Sequence, residues 1–416
     1  MPLHPLTCDC CGGMNRRQFL RYGSLLVAGA GLSLAGGSLA GGSLASAQTR
    51  PRPLARGDDQ EVKIGYLPIL DASPLLIADA RGAYRDQGLS VATPTRFRSW
   101  AQLSEAFLSR QVNVIHMLFP STVWIRYAKT FPAKVVAWNH TNGSALTVLP
   151  SINKVSELGG QVVAIPFWYS IHNILLQQLL QKNGLKVVRK PAEARLAANE
   201  VNLVVLPPPE MVPALTSKKI AGYIVAEPFN AAAEIRQIGK VLRFSGDVWN
   251  DHACCVLLLH EQDISNRPEW TQRVVNAVVS SQRWMRGNRR EVAALLSQEG
   301  GRNYTPHSKA ILTRALDVYN VPLYQNSGAI QNPQWKNRRI DFQPFPFSSY
   351  TKEIVRLLKL TQVDGDRAFI NGLDPNLVAR DLVDDRFVRK AITAYGGPSA
   401  FNLPTNFSRR EELDFA

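Results

Sequence analysis

The chain has 416 residues, 45% of them hydrophobic and 19% charged, so it can bury a large core and is predicted to hold two domains. Its 48 Lys and Arg against 33 Asp and Glu give a net charge of +15, but the basic residues are scattered along the chain. No zinc-finger, helix-turn-helix or RNA-binding signature accompanies them, so we expect a soluble basic surface and no nucleic-acid partner.

The first 47 residues have the features of an export signal. Arg16 and Arg17 form a twin-arginine run, a weakly apolar stretch follows over 24–34, and Ala45-Ser46-Ala47 is a small-residue cleavage site. This order predicts a twin-arginine signal peptide over 1–47 and a periplasmic location, with an uncleaved, membrane-associated anchor as the alternative. Residues 48–60, rich in Pro, Arg and Gly, are predicted to be a linker.

Strand-like and helix-like stretches then alternate, which is typical of parallel sheets covered by helices. The first unit is predicted to have strands at 62–67, 89–92, 112–117 and 134–138 and helices at 74–80, 101–109 and 122–129. The second unit is predicted to have strands at 162–165, 187–189, 201–206 and 221–225 and helices at 171–182, 193–198 and 209–218. An apolar run at 254–259 predicts a buried strand that returns to the first unit.

The chain after residue 268 is predicted to be mostly helical. Helices are expected at 269–284, 290–298, 308–318, 348–360 and 376–391, followed by a loose tail over 394–416. The resulting division is lobe 1 over 61–147 and 253–393, and lobe 2 over 148–252. Two α/β units joined in this way imply a cleft, and ligands in such folds bind beyond the carboxyl ends of the strands.

Residues at the predicted strand ends are therefore the candidate ligand-binding residues. Ser73 lies where Pro74 would begin a helix, whose free N–H groups suit an anion. Trp100 can wall a pocket, and His116 ends a strand. His172 follows an aromatic cluster at a helix start, and Glu227 ends another strand. Helix capping, core packing or a buried hydrogen bond remains the structural alternative for these residues.

The segment 249–255 contains the vicinal pair Cys254 and Cys255, and His252 lies nearby. Such a set suggests a soft metal, but neighbouring side chains on a strand point to opposite faces, so only His252 and Cys254 could act together. We therefore predict small buried cysteines, no metal and no cofactor, with a metal receptor using His252 and Cys254 as an alternative. No nucleophile–base pair is evident, so we do not expect an enzyme.

Several runs resemble the nitrate/sulfonate/bicarbonate group of ABC-transporter substrate-binding proteins over about 61–300. They are Val-Val-Leu-Pro-Pro-Pro-Glu-Met (204–211), Gly-Tyr-Ile-Val-Ala-Glu-Pro-Phe-Asn (222–230), Trp-x-x-His-x-Cys-Cys-Val (249–256) and Asp-Ala-x-Pro-Leu (71–75). The resemblance implies a bilobed α/β periplasmic-binding-protein fold (type II, Venus-flytrap) with a helical C-terminal extension. It also implies capture of a small anion or organic solute by hinge closure, and delivery to an ABC permease in the inner membrane. A pyrimidine (thiamine-precursor) receptor or an enzyme of related fold is the alternative.

The resemblance also implies particular binding residues. Nitrate- and bicarbonate-binding members have a Trp where Trp100 stands and a His where His172 stands, but a Gln at the position of Ser144 and a Lys at that of Cys255. A neutral thiol does not replace the charge-assisted hydrogen bond of a Lys, worth about 1.5–3 kcal/mol. Because Ser also leaves more room than Gln, we expect a larger or less charged solute, such as an organosulfonate, at Ser144 and Cys255.

Overall fold

The computed structural model describes residues 59–191, 193–336 and 338–415. The predicted signal peptide and most of the predicted linker lie outside these residues. Among the described residues, no helix is both long enough and apolar enough to cross a membrane.

Two main sheets and many short helices make up the described chain. The strands are β1 (Ile64–Tyr66), β2 (Thr95–Arg96), β3 (Val114–Leu118), β4 (Ala133–Trp138), β5 (Thr141–Asn142), β6 (Ser144–Val148), β7 (Gln161–Ile165), β8 (Lys186–Val188), β9 (Glu200–Val205), β10 (Gly222–Ala226), β11 (Lys240–Phe244), β12 (Cys255–His260) and β13 (Ile340–Asp341). The helices are α1 (Ser73–Ala80), α2 (Ala83–Asp86), α3 (Trp100–Leu108), α4 (Phe119–Val123), α5 (Ile171–Lys182), α6 (Pro208–Thr216), α7 (Phe229–Ile235), α8 (Ser245–Val248), α9 (Glu261–Asn266), α10 (Pro268–Met285), α11 (Arg289–Leu296), α12 (Lys309–Leu316), α13 (Val321–Asn326), α14 (Ser348–Leu360), α15 (Ala368–Asn371), α16 (Pro375–Asp381) and α17 (Arg386–Ala394).

The first sheet has the strand order β2-β1-β3-β12-β4. Strand β1 pairs in parallel with β2 and β3, whereas β12 runs antiparallel to β3 and β4. Every residue of β3 and β12 is buried, as expected for strands with continuous apolar sequence. The apolar run before residue 260 therefore does return the chain to the first sheet, as the sequence predicts.

The second sheet has the order β11-β6-β10-β7-β9-β8. Strands β7 to β10 form its parallel part, and β6 runs antiparallel between β10 and β11. The sequence analysis missed β6 and β11. Strand β6 reads Ser-Ala-Leu-Thr-Val and so lacks an apolar run, although all five of its residues are buried.

Three chain segments pass between the two sheets. The first is 139–143, which follows β4, and the second is 245–254, which precedes β12. In the first segment Gly143 has a φ of +80°, and a Cβ there would lie 2.9 Å from the Ile340 side chain, so glycine is required. The third segment contains β13, which pairs antiparallel with β5 inside the first segment.

Two of the shorter predicted elements are wrong. Over 89–92 only Val91 forms a bridge, with Val62, and the edge strand β2 begins later. Described residues 193–198 form no helix. The carboxylate of Glu200 instead accepts hydrogen bonds from the Ala197 N–H and from Lys190 Nζ, which holds this segment in turns.

The predicted helix 376–391 is in fact two helices, α16 and α17. Between them Val383 forms a parallel bridge with Val135 of β4, so the chain is extended where the prediction has it helical. The apolar spacing that indicates one helix arises because both short helices bury one face.

The prediction of a loose tail over 394–416 is also wrong. Phe401 and Leu403 are buried, and Leu413 forms a bridge with Trp249. The indole N–H of Trp249 donates to Glu411 over 2.8 Å. The backbones also pair, because the Asn250 N–H donates to the Glu412 carbonyl and the Asp414 N–H donates to the Val248 carbonyl. These partners are distant in sequence, and local periodicity therefore cannot reveal them.

Candidate functional site

A group of polar side chains is buried where the crossing segments meet the strand ends. We call it the central cluster, and its members are Asp71, His140, Ser144, His172, Cys254 and Cys255. Each of these residues is at most 2% exposed. Asp71 lies in a short turn after β1, His140 lies in the first crossing segment, Ser144 begins β6, and His172 is in the first turn of α5. Cys254 is the last residue of the second crossing segment, and Cys255 is the first residue of β12.

An ion pair joins the loop after β1 to the first crossing segment. His140 Nε2 lies 3.0 Å from Asp71 Oδ2, and both side chains are fully buried. Burial alone raises the pKa of Asp71, but the charge of His140 outweighs it and the pKa is lowered. Burial lowers the pKa of His140, but the Asp71 carboxylate outweighs it in turn and raises that pKa. The pair is therefore charged at neutral pH.

His172 links the two sides of the cluster. Its Nε2 lies 2.9 Å from Ser144 Oγ and 3.8 Å from Cys254 Sγ. Ser170 fixes the start of the helix by accepting a hydrogen bond from the Asn173 N–H. Helix α5 belongs to the second sheet's side and Cys254 leads into the first sheet, so His172 contacts residues from both sides.

Both described cysteines are free and buried. Burial raises the pKa of both thiols, but the hydrogen bond from Cys255 and the nearby His172 bring the pKa of Cys254 below its usual value. Burial and the hydrogen bond to Cys254 raise the pKa of Cys255 well above its usual value. The pair is therefore best described as one thiolate that accepts a hydrogen bond from one thiol.

Ser73, Trp100 and His116 are buried on the first sheet's side. His116 Nε2 accepts a hydrogen bond from the Leu67 N–H over 2.9 Å, and its ring centre is 5.2 Å from that of Trp100. Burial lowers the pKa of His116 to about 3, so the ring is neutral. Trp100 begins α3 after the Ser99 cap, and Ser73 begins α1. Their roles as ligand-binding residues stay predictions.

Glu227 has a different set of partners from the central cluster. Its carboxylate lies 2.6 Å from Arg339 and accepts the Ala231 N–H over 3.1 Å. Its backbone carbonyl accepts a hydrogen bond from the Leu70 N–H. The carboxylate that we predict at the cleft rim is thus engaged in an internal ion pair, and its role in ligand binding stays a prediction.

Several polar atoms around the central cluster lack hydrogen bonds. Within the described parts of the chain, the following have no partner: Ser73 Oγ, Trp100 Nε1, His116 Nδ1, His140 Nδ1 and His172 Nδ1. An unpaired buried polar group costs roughly 1–3 kcal/mol, so proteins seldom tolerate several of them close together without a reason. A polar ligand that forms hydrogen bonds with these atoms would explain why they have no partner within the protein.

Sequence reasoning missed His140 as a site residue, named Asp71 only within the run 71–75, and named Cys254 only as an alternative metal ligand together with His252. His140 could have been noticed, because it comes two residues after β4 ends at Trp138, at the carboxyl end of a strand. His116, predicted to end its strand, lies in the middle of β3. The sequence analysis paired Cys254 only with His252, because neighbouring residues of a strand, such as Cys254 and Cys255, face opposite ways. The structure removes that objection, because Cys254 lies in a bend and the strand begins at Cys255.

The chain is similar to several known proteins. Residues 55–297 match the model of the NMT1-like family. The nitrate/nitrite binding protein NrtA of Nostoc sp. is 25% identical over 242 residues, which cover 54% of this chain and 53% of that protein. The chain thus spans about half the length of the curated relatives it matches.

Solved structures show the same fold. The periplasmic nitrate-binding protein NrtA of Synechocystis matches with a TM-score of 0.68 at 18% identity, covering 85% of this chain and 93% of that one. The alkanesulfonate-binding protein SsuA of Xanthomonas axonopodis, bound to MOPS, matches with a TM-score of 0.56 at 14% identity, covering 81% and 99%. The predicted bilobed α/β periplasmic-binding-protein fold is confirmed.

Proposed function

The chain belongs to the NMT1-like family, and from that premise we propose that it is the solute-binding receptor of an ABC importer. The family match and the relatives confirm the resemblance to substrate-binding proteins of such importers. They support this function over a pyrimidine (thiamine-precursor) receptor or an enzyme of related fold, since the relatives bind nitrate, nitrite or sulfonates.

The proposed receptor captures its solute by closure of two lobes built on the two sheets. Because β6 belongs to the second sheet, the predicted boundary at 147 moves to 143, which gives lobe 1 as 61–143 with 253–393 and lobe 2 as 144–252. The observation that carries this proposal is the set of unpaired buried polar atoms around the central cluster. Those atoms come from both sides, with His116 and Trp100 on the first sheet's side and His172 on the second. A solute that bonds to both sides favours the closed arrangement, which the permease can then recognise.

The proposed ligand is a small anion or organic solute. The resemblance puts a Lys where Cys255 stands, and the central cluster offers no replacement for its charge, because Asp71 compensates His140. His116 is neutral as well. A sulfonate carries the same single negative charge as nitrate, so the missing charge does not distinguish the two. The resemblance puts a Gln where the smaller Ser144 stands, and the room that this leaves favours a sulfonate-like organic solute over nitrate or bicarbonate.

Isothermal titration of the purified chain tests this function. The panel contains nitrate, bicarbonate, taurine and longer alkanesulfonates, and we expect one saturable site for at least one of them. Ser144→Ala removes the hydroxyl that contacts His172 and should weaken that binding about tenfold or more. Ser104→Ala is the matched control, because Ser104 is also buried but donates to the Trp100 carbonyl within α3. Absence of binding across the panel would reject the proposal.

The proposed receptor works in the periplasm beside an inner-membrane ABC permease. The support is the twin-arginine sequence over 1–47 and the periplasmic location that a relative's name states. Replacing Arg16 and Arg17 together by Lys should leave the chain in the cytoplasm of a bacterium that has the twin-arginine translocase. Cell fractionation measures this, and unchanged export of the double variant would contradict the route.

A further inference from the structure

Four members of the central cluster have side chains that bind metals. Asp71, His140, Cys254 and Cys255 each offer one ligand atom, and these atoms all lie within 4.8 Å of one another. All four side chains are fully buried. The set is drawn from three separate places in the chain: the loop after β1, the first crossing segment and the end of the second.

The spacing of these atoms fits a four-coordinate ion. Ligand atoms at the corners of a tetrahedron around zinc, with Zn–S bonds near 2.3 Å, are separated by about 3.8 Å or less. Shifts of about an ångström in side-chain position would therefore bring all four atoms to bonding distance of one ion. The bend at Cys254 matters here, because it lets both thiols take part in one cluster.

The hydrogen-bonding groups around His140 Nε2 are not all satisfied. Its Nε2 faces both the Asp71 carboxylate, which needs a donor, and the Cys255 N–H, which needs an acceptor. One ring nitrogen cannot donate and accept at once, so one of the two groups is left unsatisfied. Both Asp71 carboxylate oxygens and His140 Nδ1 also lack a hydrogen bond of normal geometry to the described residues.

The donor set selects the class of metal. Two sulfurs, an imidazole and a single carboxylate suit a soft or borderline ion such as Zn²⁺ or Cu⁺, whereas Ca²⁺ and Mg²⁺ require oxygen donors. We propose that Asp71, His140, Cys254 and Cys255 form a binding site for one thiophilic d¹⁰ metal ion at the base of the cleft. This site differs from the pair His252 and Cys254 that the sequence suggests, because His252 Nε2 is bonded to Ser245 Oγ.

Metal loading of the full chain tests the site. The protein is reduced, stripped with a chelator, incubated with Zn²⁺ and passed over a desalting column before elemental analysis. We expect one retained equivalent of zinc. Replacement of Zn²⁺ by Co²⁺ should give a thiolate-to-cobalt charge-transfer band in the near ultraviolet, because two sulfurs bind the ion. Failure to retain zinc, or retained cobalt without that band, overturns the proposal.

Two histidine variants provide the matched comparison. His140→Gln should lose most of the affinity for zinc, whereas His252→Gln should keep it, although both histidines are fully buried. Cys254→Ser serves as a second ligand variant, and thermal unfolding of the stripped proteins checks that each one folds. Equal zinc affinity in all variants, or equal loss in both histidine variants, contradicts the ligand set.

The metal site and the proposed function can fail separately. Solute titrations are run on both the stripped and the zinc-loaded chain. Solute binding without zinc retention rejects the metal site alone, and zinc retention without binding of any solute rejects the receptor function alone.

Discussion

Two buried polar groups lie near the crossing segments, and they differ in how completely their atoms are paired. In the ion-pair network, Arg339 contacts Glu227 over 2.6 Å and Glu234 over 2.8 Å, and Tyr324 donates to Glu234 over 2.7 Å. Arg339 Nη2 has no hydrogen bond but lies in the ion pair with Glu227, whereas in the central cluster Asp71 Oδ1, His140 Nδ1 and His172 Nδ1 have neither. The ion-pair network is typical of polar groups that stabilise a fold. The central cluster is typical of polar groups that bind a ligand.

The largest expected effect comes from breaking the ion-pair network. Arg339→Met leaves the buried Glu227 without its counter-ion and should lower the free energy of unfolding by about 3–5 kcal/mol. Denaturant unfolding measures the change. Arg356→Met is the control, because its pair with Glu353 is on the surface and should be worth about 0.5 kcal/mol or less. A loss below about 1 kcal/mol for Arg339→Met would contradict a stabilising role.

The pH dependence of stability probes the ion pair of the central cluster. The raised pKa of His140 means that its contribution is complete below about pH 6.5, the ordinary histidine value, and is lost as the pH rises through the raised value. The lowered pKa of Asp71 means that its contribution is present above about pH 3.9 and is lost as the pH falls further. Stripped wild-type protein should therefore lose stability on the alkaline side.

The His140→Gln variant isolates this effect. In denaturant unfolding at several pH values, the variant should show a smaller alkaline loss than the stripped wild type. Cys254, Cys255 and His116 remain in both proteins, but His140 also lowers the pKa of Asp71 and of Cys254, so the difference reports on His140 together with these two groups. An alkaline slope equal to that of the wild type would show that the pair does not contribute.

The smallest effects come from two buried serines. Ser121 Oγ donates to the Tyr169 carbonyl over 2.6 Å, so Ser121→Ala should cost about 1 kcal/mol of stability. Ser73 Oγ has no partner among the described residues, so Ser73→Ala removes an unpaired buried group. It should leave stability unchanged or raise it by about 1 kcal/mol, while weakening solute binding. The opposite order of the two stability losses, measured by thermal unfolding, would mean that unpaired atoms do not mark the site.

The sequence predicted the fold wherever an apolar run or a helical period was present. Helix α5 was predicted with its observed ends, and β12 with a shift of one residue. The prediction from sequence failed for β6, whose small polar residues are buried. It also failed for the residues after 394, which are held by isolated contacts. In both places the stabilising partners are distant in sequence, and local pattern does not encode them.

The candidate site divides in the same way. His172 and Cys255 could be singled out because an aromatic cluster and a vicinal cysteine pair are visible locally. The contact between Asp71 and His140 joins residues that are far apart in the chain, and it depends on how two loops meet at one end of the first sheet. The sequence showed which chemistry each loop carries, but it could not show that these loops share one space.

The segment that contains β13 pairs with β5 and forms a third connection between the two sheets, beside the first and second crossing segments. A rotation of one lobe relative to the other must change the backbone conformation of all three segments together. Three connections of which two are paired resist a twist between the lobes more than they resist a hinge rotation. The relative motion is therefore expected to be a hinge rotation about one axis. In the proposed closure, the two lobes should then meet in the same relative orientation each time.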